Sequence, residues 1–427
     1  MRLKRALFVF LLVFGNLIAL GQVVTLDDSA VQIRQRTFDR VWSIVNEGHF
    51  DPTFGGVDWK RVGESYRPAA MSAASDAEFH NVLNQMIGEL NQSHFSIYTR
   101  DGELELTKCN EGVVGIELRL LENKAVINRI EPNSPAEKTG LKPGFEIVKI
   151  DDRTVSETLL PLETNLASRK ISNSIKQAYR ERALTRALCG KPETSVKVEA
   201  LNKQNAPKVF NLTRTLYAGE IAKVAEGLPA FKLFFEAKRL ENNIGYVSFN
   251  VWLPKQAERA REAIRSMMDA NGIIIDLRNN AGGQGGLVNN VGGTLFPERI
   301  SFGKTKTRYS SGDFWVVPQD RIFQGKVVIL TNCGTGSTSE IFTAGMKDTG
   351  RARVIGERTA GAVLPARIER LPSGANFMYA VADYRSPNGV LIEGRGVEPD
   401  VEVKLTRASL LEGRDLQLEE AIRELSK

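Results

Sequence analysis

A multi-domain α/β fold is predicted by three features of the 427-residue sequence. Early segments carry apolar residues at helical spacing, a middle segment from about Cys109 changes to short strands and turns, and the remainder from about Thr215 alternates strands with helices. The last region holds the stretch around which the chain is organised, Gly334-Thr335-Gly336-Ser337-Thr338-Ser339-Glu340-Ile341-Phe342. It follows Val327-Val328-Ile329-Leu330, an apolar run of buried-strand character, and precedes Ile341, Phe342, Gly345 and Met346 at helical spacing. The unit is strand, glycine-rich turn, helix. A hydroxyl in that turn lies at a helix N-terminus among outward-facing N–H groups, which suits a nucleophilic serine with an oxyanion-stabilising amide beside it. It equally suits an ordinary helix cap.

Composition bounds the function classes. Hydrophobic residues at 42% and charged residues at 25% are those of a globular protein. The formal net charge is +6; without Arg2, Lys4 and Arg5 it is 6 − 3 = +3, too small an excess to indicate a nucleic-acid partner. Those three residues open a basic start, followed by an apolar run from Ala6 to Leu20 and small residues at Ala19-Leu20-Gly21, the pattern of a secretory signal peptide. The run falls short of the roughly 20 residues that span a bilayer, so membrane association follows only if the segment stays uncleaved. The expectation is export to a periplasmic or secreted location. Cys109, Cys189 and Cys333 show no metal spacing, and neither a metal nor another cofactor is expected. Cys109 and Cys189 could pair in an oxidising compartment, whereas Cys333 reads as a small buried hydrophobe.

In chain order, residues from about Asp28 to Glu47 place Ile33, Phe38, Val41, Trp42 and Val45 on one side of a helix, with His49 after its end. A second helix opens with the capping pair Ser75 and Glu78 and carries the stripe Phe79, Val82, Leu83, Met86, Ile87 and Leu90. His80 lies off that stripe and reads as partly exposed. The helix empties into Asn91-Gln92-Ser93-His94-Phe95, where a histidine follows a rigid element and stays accessible. Further on, Gly272-Ile273-Ile274-Ile275-Asp276-Leu277-Arg278 is a buried strand ending in Asn279-Asn280-Ala281-Gly282-Gly283. No GK[ST] follows, so the glycines are better read as bare amides lining a neighbouring site than as a phosphate loop.

The middle segment, Gly112-Val113-Val114-Gly115-Ile116 followed by Pro132-Asn133-Ser134-Pro135-Ala136 and the run SPAEKTGLKPGFEIVKIDDRTV, resembles a PDZ domain. The resemblance implies that backbone amides of Gly112, Val113, Val114, Gly115 and Ile116 hold a peptide's terminal carboxylate while the peptide adds a strand to the sheet edge. An insertion rich in Arg and Lys, Ser168 to Arg186, separates Thr154 from the late strand Ser195-Val196-Lys197-Val198. Its charges form a solvated helix face or gate the groove.

Together the PDZ block, IIIDLRNNAGG, STSEIFTAGMKDTGRARVIGERTAG and GRGVEPD, in this order, resemble the S41 peptidases, the C-terminal processing proteases and the tricorn core protease. The resemblance implies a ClpP/crotonase-like catalytic core and the division 1–21 signal peptide, 22–107 N-terminal helical region, 108–216 PDZ-like domain with helical insertion, and 217–427 peptidase core. It makes Ser337 the nucleophile and Thr338, Gly282 and Gly283 the oxyanion hole, with Glu340, Asp348 and Thr359 in support. The processing branch takes a lysine as base in a GxxTxGK segment, but this chain reads Gly356-Glu357-Arg358-Thr359-Ala360-Gly361-Ala362, with alanine in the lysine's place. The tricorn-like branch uses a histidine preceded by serine, which Ser93-His94 matches. Glu393, or alternatively Glu398, is the implied carboxylate that orients the ring. The expected assembly is Ser337 as nucleophile, His94 as general base then acid, and Glu393 as orienter on the second ring nitrogen, with Ser93 assisting.

The resulting function is an exported serine endopeptidase acting on peptides or partly unfolded proteins, with PDZ recognition of C-terminal tails; homo-oligomerisation is left open. Two other classes compete. An inactive adaptor or apolar-ligand carrier would not need the Ser337, Gly282 and His94 set, and an acyl-CoA enzyme on a related fold would not need the PDZ-like block or the signal peptide.

Overall fold

The computed structural model describes residues 28–98, 112–167, 169–223 and 230–427. The signal segment and Cys109 lie outside the described residues. Cys189 is disulfide-bonded, and Cys333 is a free, buried thiol.

Three helices open the described chain: α1 (Asp28–Gly48), α2 (Trp59–Ser72) and α3 (Asp76–Gly88). Phe38, Val41 and Val45 of α1 are buried as their spacing requires, but Ile33 is 41% exposed. Ser75 caps α3 by accepting from Glu78 N, while Glu78 returns its carboxylate to Ala74 N rather than to the cap residue. The short strand β1 (Ser96–Tyr98) follows.

The PDZ-like region contains β2 (Ile116–Leu121), β3 (Lys124–Ile130), α4 (Pro135–Lys138), β4 (Glu146–Ile150), β5 (Arg153–Thr154), α5 (Val155–Leu166), α6 (Asn173–Ala187), β6 (Ser195–Leu201) and β7 (Pro207–Thr213). Its sheet has the order β2-β3-β4-β6-β7, which leaves β2 as an edge. The Arg- and Lys-rich segment forms helix α6, which packs along β2. Its face is not uniformly solvated: Glu181 is buried.

After the ribbon β8 (Ile221–Lys223) and β9 (Ala230–Lys232), the α/β core runs β10 (Phe235–Leu240), β11 (Ile244–Phe249), α7 (Pro254–Ser266), β12 (Gly272–Asp276), α8 (Val288–Gly292), β13 (Ile300–Lys306), β14 (Ser311–Val316), β15 (Lys326–Thr331), α9 (Thr338–Asp348) and β16 (Ala352–Gly356). It ends with β17 (Ala366–Arg370), β18 (Asn376–Ala380), β19 (Asp383–Arg385), β20 (Val401–Glu402), α10 (Arg407–Leu411) and α11 (Leu416–Leu425). The main sheet has the order β10-β11-β12-β15-β16-β20 and is parallel apart from β10. Strands β11 and β12 are buried throughout because helices cover both faces, which is why they are mostly apolar without the alternation of a half-exposed strand. Residues of α7, α8 and α9 build the core on one face and α11 covers the other.

The N-terminal helices do not stand apart from the rest. β1 pairs antiparallel with β18, and Leu364, Leu371, Phe377 and Ala380 join the core of α1 to α3. This late hairpin buries His80, whose Nε2 meets Ser373 Oγ at 3.0 Å, correcting the expectation of a partly exposed surface residue. The same pairing carries the 91–95 turn to the α/β core.

Candidate active site

Parallel strands β12 and β15 are neighbours, and the turns leaving their C-terminal ends meet, the usual place for a site in an open α/β sheet. Ser337 sits in the second turn with φ 54° and ψ −121°. A side chain in that backbone conformation costs about 1–3 kcal/mol and persists only where the surroundings hold it. Here Ser337 N donates to Ala362 O at 2.8 Å and to Glu340 Oε2 at 3.1 Å. The buried Glu340 carboxylate also accepts from Thr359 Oγ1, from Gly361 N at 2.7 Å and from Ala362 N at 2.8 Å. Burial pushes its pKa up to about 7 against the donors Thr359, Gly361 and Ala362. Glu340 and Thr359 therefore fasten the 359–362 loop to the Ser337 turn. Asp348 does not reach that turn; it accepts from Ser386 Oγ and Asn388 N one helix-length away.

The glycine turn presses on the serine. A Cβ on Gly282, which has φ +98°, would lie 2.5 Å from Ser337 Cβ, and one on Gly283 would lie 2.3 Å from Trp252 O. Thr338 Oγ1 ties the two turns by donating to Gly283 O at 2.9 Å. The three proposed oxyanion donors are not equivalent. Gly282 N is engaged by Asn280 Oδ1 at 3.1 Å, whereas Gly283 N and Thr338 N have no partner among the described residues. Asn280 was not singled out in the sequence, although the paired asparagines ahead of the glycines were the available signal.

His94, with φ 59°, lines the same cavity of about 1280 Å³ as Ser337, Gly282, Gly283 and Thr338. Its Nδ1 meets Ser93 Oγ at 2.7 Å, and Ser93 Oγ donates to Glu393 Oε2 at 2.9 Å. Since the hydroxyl proton goes to the carboxylate, the ring donates from Nδ1 and leaves Nε2 as the basic nitrogen. This corrects the expected geometry: Glu393 acts on the ring through Ser93, not by direct contact with a ring nitrogen. Glu393 is fixed in turn by Ser93 N at 2.7 Å and Val363 N at 3.0 Å. Burial raises its pKa, opposed by these donors. Glu398 pairs instead with Arg358 and is exposed. Burial lowers the His94 pKa to about 4, so the ring is neutral near pH 7. No hydrogen bond joins His94 to Ser337 among the described residues.

Ala362 marks where the missing lysine would stand. Its carbonyl and amide are both bonded to the nucleophile turn, so the position is adjacent to Ser337 but carries no base. In the 112–116 segment, Val113 N is spent on Thr215 O at 2.9 Å, and Gly115, with φ +78°, could not carry a side chain because Ser134 Cβ would be 2.2 Å away.

The chain is similar to known proteins along most of its length. Residues 243–403 match the model of peptidase family S41, residues 31–88 that of the tricorn protease C1 domain, and residues 112–183 that of a PDZ domain. A carboxyl-terminal-processing protease of Synechocystis is 26% identical over 426 residues, 97% of this chain and 91% of that protein. A chloroplastic C-terminal processing peptidase of Tetradesmus obliquus is 24% identical over 88% of this chain and 78% of that protein. Among solved structures, the photosystem II D1 C-terminal processing protease superposes with a TM-score of 0.57 at 22% identity, covering 92% of this chain and 97% of that one. The tricorn protease superposes with a TM-score of 0.52 at 20% identity, covering 93% of this chain and 37% of that one, a likeness of fold. Helices, PDZ domain and α/β core in this order define a PDZ-bearing serine peptidase. The α/β core of the chain is that of peptidase family S41.

Proposed function

We propose that this peptidase is exported and cleaves peptides or partly unfolded proteins presented by their C-terminal tails, using Ser337, His94, Ser93 and Glu393. The observation that carries the site assignment is the chain His94 Nδ1, Ser93 Oγ, Glu393 Oε2, which opens onto the cavity of Ser337 while Ala362 occupies the lysine position. Ser337 Oγ attacks the scissile carbonyl carbon as its proton passes to His94 Nε2. The oxyanion is received by Thr338 N and Gly283 N. His94 then protonates the departing amine, and water, deprotonated by the same nitrogen, hydrolyses the acyl-enzyme. Tail recognition is supported by the PDZ match and by the C-terminal processing for which the related proteases are named. Their C-terminal processing also supports an extended, unstructured cleavage segment as substrate.

The test is turnover of denatured casein by the mature chain and two variants. Ser337→Ala is expected to lower kcat by as much as ~10⁶-fold and His94→Ala by nearly as much. Full turnover by His94→Ala would remove the histidine from the mechanism, and no turnover by the wild type would favour the adaptor reading.

A further inference from the structure

Helix α6 carries Gln177 and Glu181 one turn apart, and both reach the open edge of β2. Glu181 Oε1 accepts from Leu120 N at 2.9 Å, and Gln177 Nε2 donates to Leu120 O at 3.2 Å and to Glu181 Oε1 at 3.1 Å. An edge strand turns alternate N–H and C=O pairs outward, where an added strand would bond them. At Leu120 two side chains supply the acceptor and the donor that a peptide main chain would supply. Leu118, two residues earlier, lines the cavity shared with Ser337.

Glu181 has further partners. It accepts from Arg119 Nε at 3.0 Å and from Cys333 Sγ at 3.6 Å. Arg119, 1% exposed, donates its other arm to Glu357 Oε2 at 2.9 Å. Glu357 lies two residues before Thr359, the hydroxyl bonded to Glu340, which holds Ser337 N. The β2 edge is therefore bonded to the loop that positions the nucleophile.

We propose that Gln177 and Glu181 are stand-ins for a peptide main chain, and that a C-terminal tail long enough to reach Leu120 displaces them and adds to β2 as an antiparallel strand. The proposal rests on the tail-recognition reading above. With the tail's carboxylate at the 112–116 loop, its last residues run past Ile116 and Leu118 and its upstream residues arrive at Leu120. A short tail leaves both side chains in place. A longer one exchanges the Glu181 carboxylate for a peptide carbonyl at Leu120 N and replaces the Gln177 amide at Leu120 O. Glu181 keeps Arg119 after the exchange, so no buried charge is stranded.

The test uses the full mature chain in the Ser337→Ala background, with fluorescence anisotropy of a labelled decapeptide and of a tetrapeptide sharing its apolar C-terminal residues and free carboxylate. Gln177→Ala removes one competitor for Leu120 and is expected to tighten decapeptide binding about 3- to 10-fold, the scale of one neutral hydrogen bond, while tetrapeptide affinity stays constant. Glu181→Gln, which keeps shape but weakens the acceptor, is expected to shift the decapeptide in the same direction. Unchanged decapeptide affinity in both variants, an equal gain for both peptides, or no decapeptide binding by any of these proteins would overturn the proposal. Casein turnover by the chain with Ser337 intact reads the peptidase assignment separately, so the two can fail independently.

Discussion

Ser93→Ala removes one oxygen and severs the side-chain link between His94 and Glu393 that runs through its hydroxyl. Two hydrogen bonds go, one of 2.7 Å to the ring and one of 2.9 Å to the carboxylate. Glu393 keeps Ser93 N and Val363 N, so its position is retained, and the loss falls on the ring, whose Nδ1–H is left unpaired in a buried setting. A neutral bond is worth about 0.5–1.5 kcal/mol and one to a charged group about 1.5–3 kcal/mol. Only the part gained as the imidazolium forms slows the reaction, the difference between the two, which places the cost at roughly 1–1.5 kcal/mol, or about 5- to 13-fold in kcat. That is well short of the ~10⁴-fold lost when a triad carboxylate in direct contact with histidine is replaced. The assay is kcat on denatured casein across pH, with the melting temperature as a folding control. Ser93→Thr, which retains the hydroxyl, is expected to recover most of the rate. Wild-type kcat in Ser93→Ala with an unmoved pH profile would refute the relay, and a loss as large as that of His94→Ala would show that Ser93 does more than position the ring.

Two further outcomes follow from the geometry. Because burial holds the His94 pKa near about 4, the acid limb of kcat/KM is expected below the 6.5 of a free imidazole; a limb at 6.5 or above would mean that the ring is solvated or charged in the free enzyme. The sign for stability is the same: an unfolded chain binds the His94 proton below about 6.5 and the folded one only near about 4, so this contribution is present above pH 6.5 and is lost as pH falls through 4, readable in a titration of melting temperature against a His94→Gln control. Gly282→Ala would drive a methyl to 2.5 Å from Ser337 Cβ at a φ of +98°, and is expected to abolish turnover while circular dichroism shows the fold retained; ordinary activity would mean that the turn shifts freely.

Much of this site could be read from residue order alone. The strand, turn and helix around Ser337 follow from an apolar run, small residues and helical spacing, all of them local signals. His94 and Glu393 are different, since 300 residues separate Ser93 from Glu393 and only the resemblance to a family placed them together. The pairing of β1 with β18, which delivers His94, has no local signature because a three-residue strand is specified by its partner. The same hairpin buries His80, which helical spacing alone leaves outside. The relay through Ser93 was not legible either: the sequence gives two oxygen-bearing side chains near one ring but not which of them touches it. Nor was the role of α6, whose basic composition describes a solvated face, while two of its non-basic residues, Gln177 and Glu181, make the contacts that reach β2.

The account depends on Ser337 being activated by an imidazole that arrives from the N-terminal region. The direct measurement is labelling of the mature chain with a fluorophosphonate probe and mapping of the modified residue by mass spectrometry. Stoichiometric modification of Ser337 in the wild type, and its loss in His94→Ala, is the predicted result. Modification of another residue, or labelling of Ser337 at an undiminished rate without His94, would contradict it.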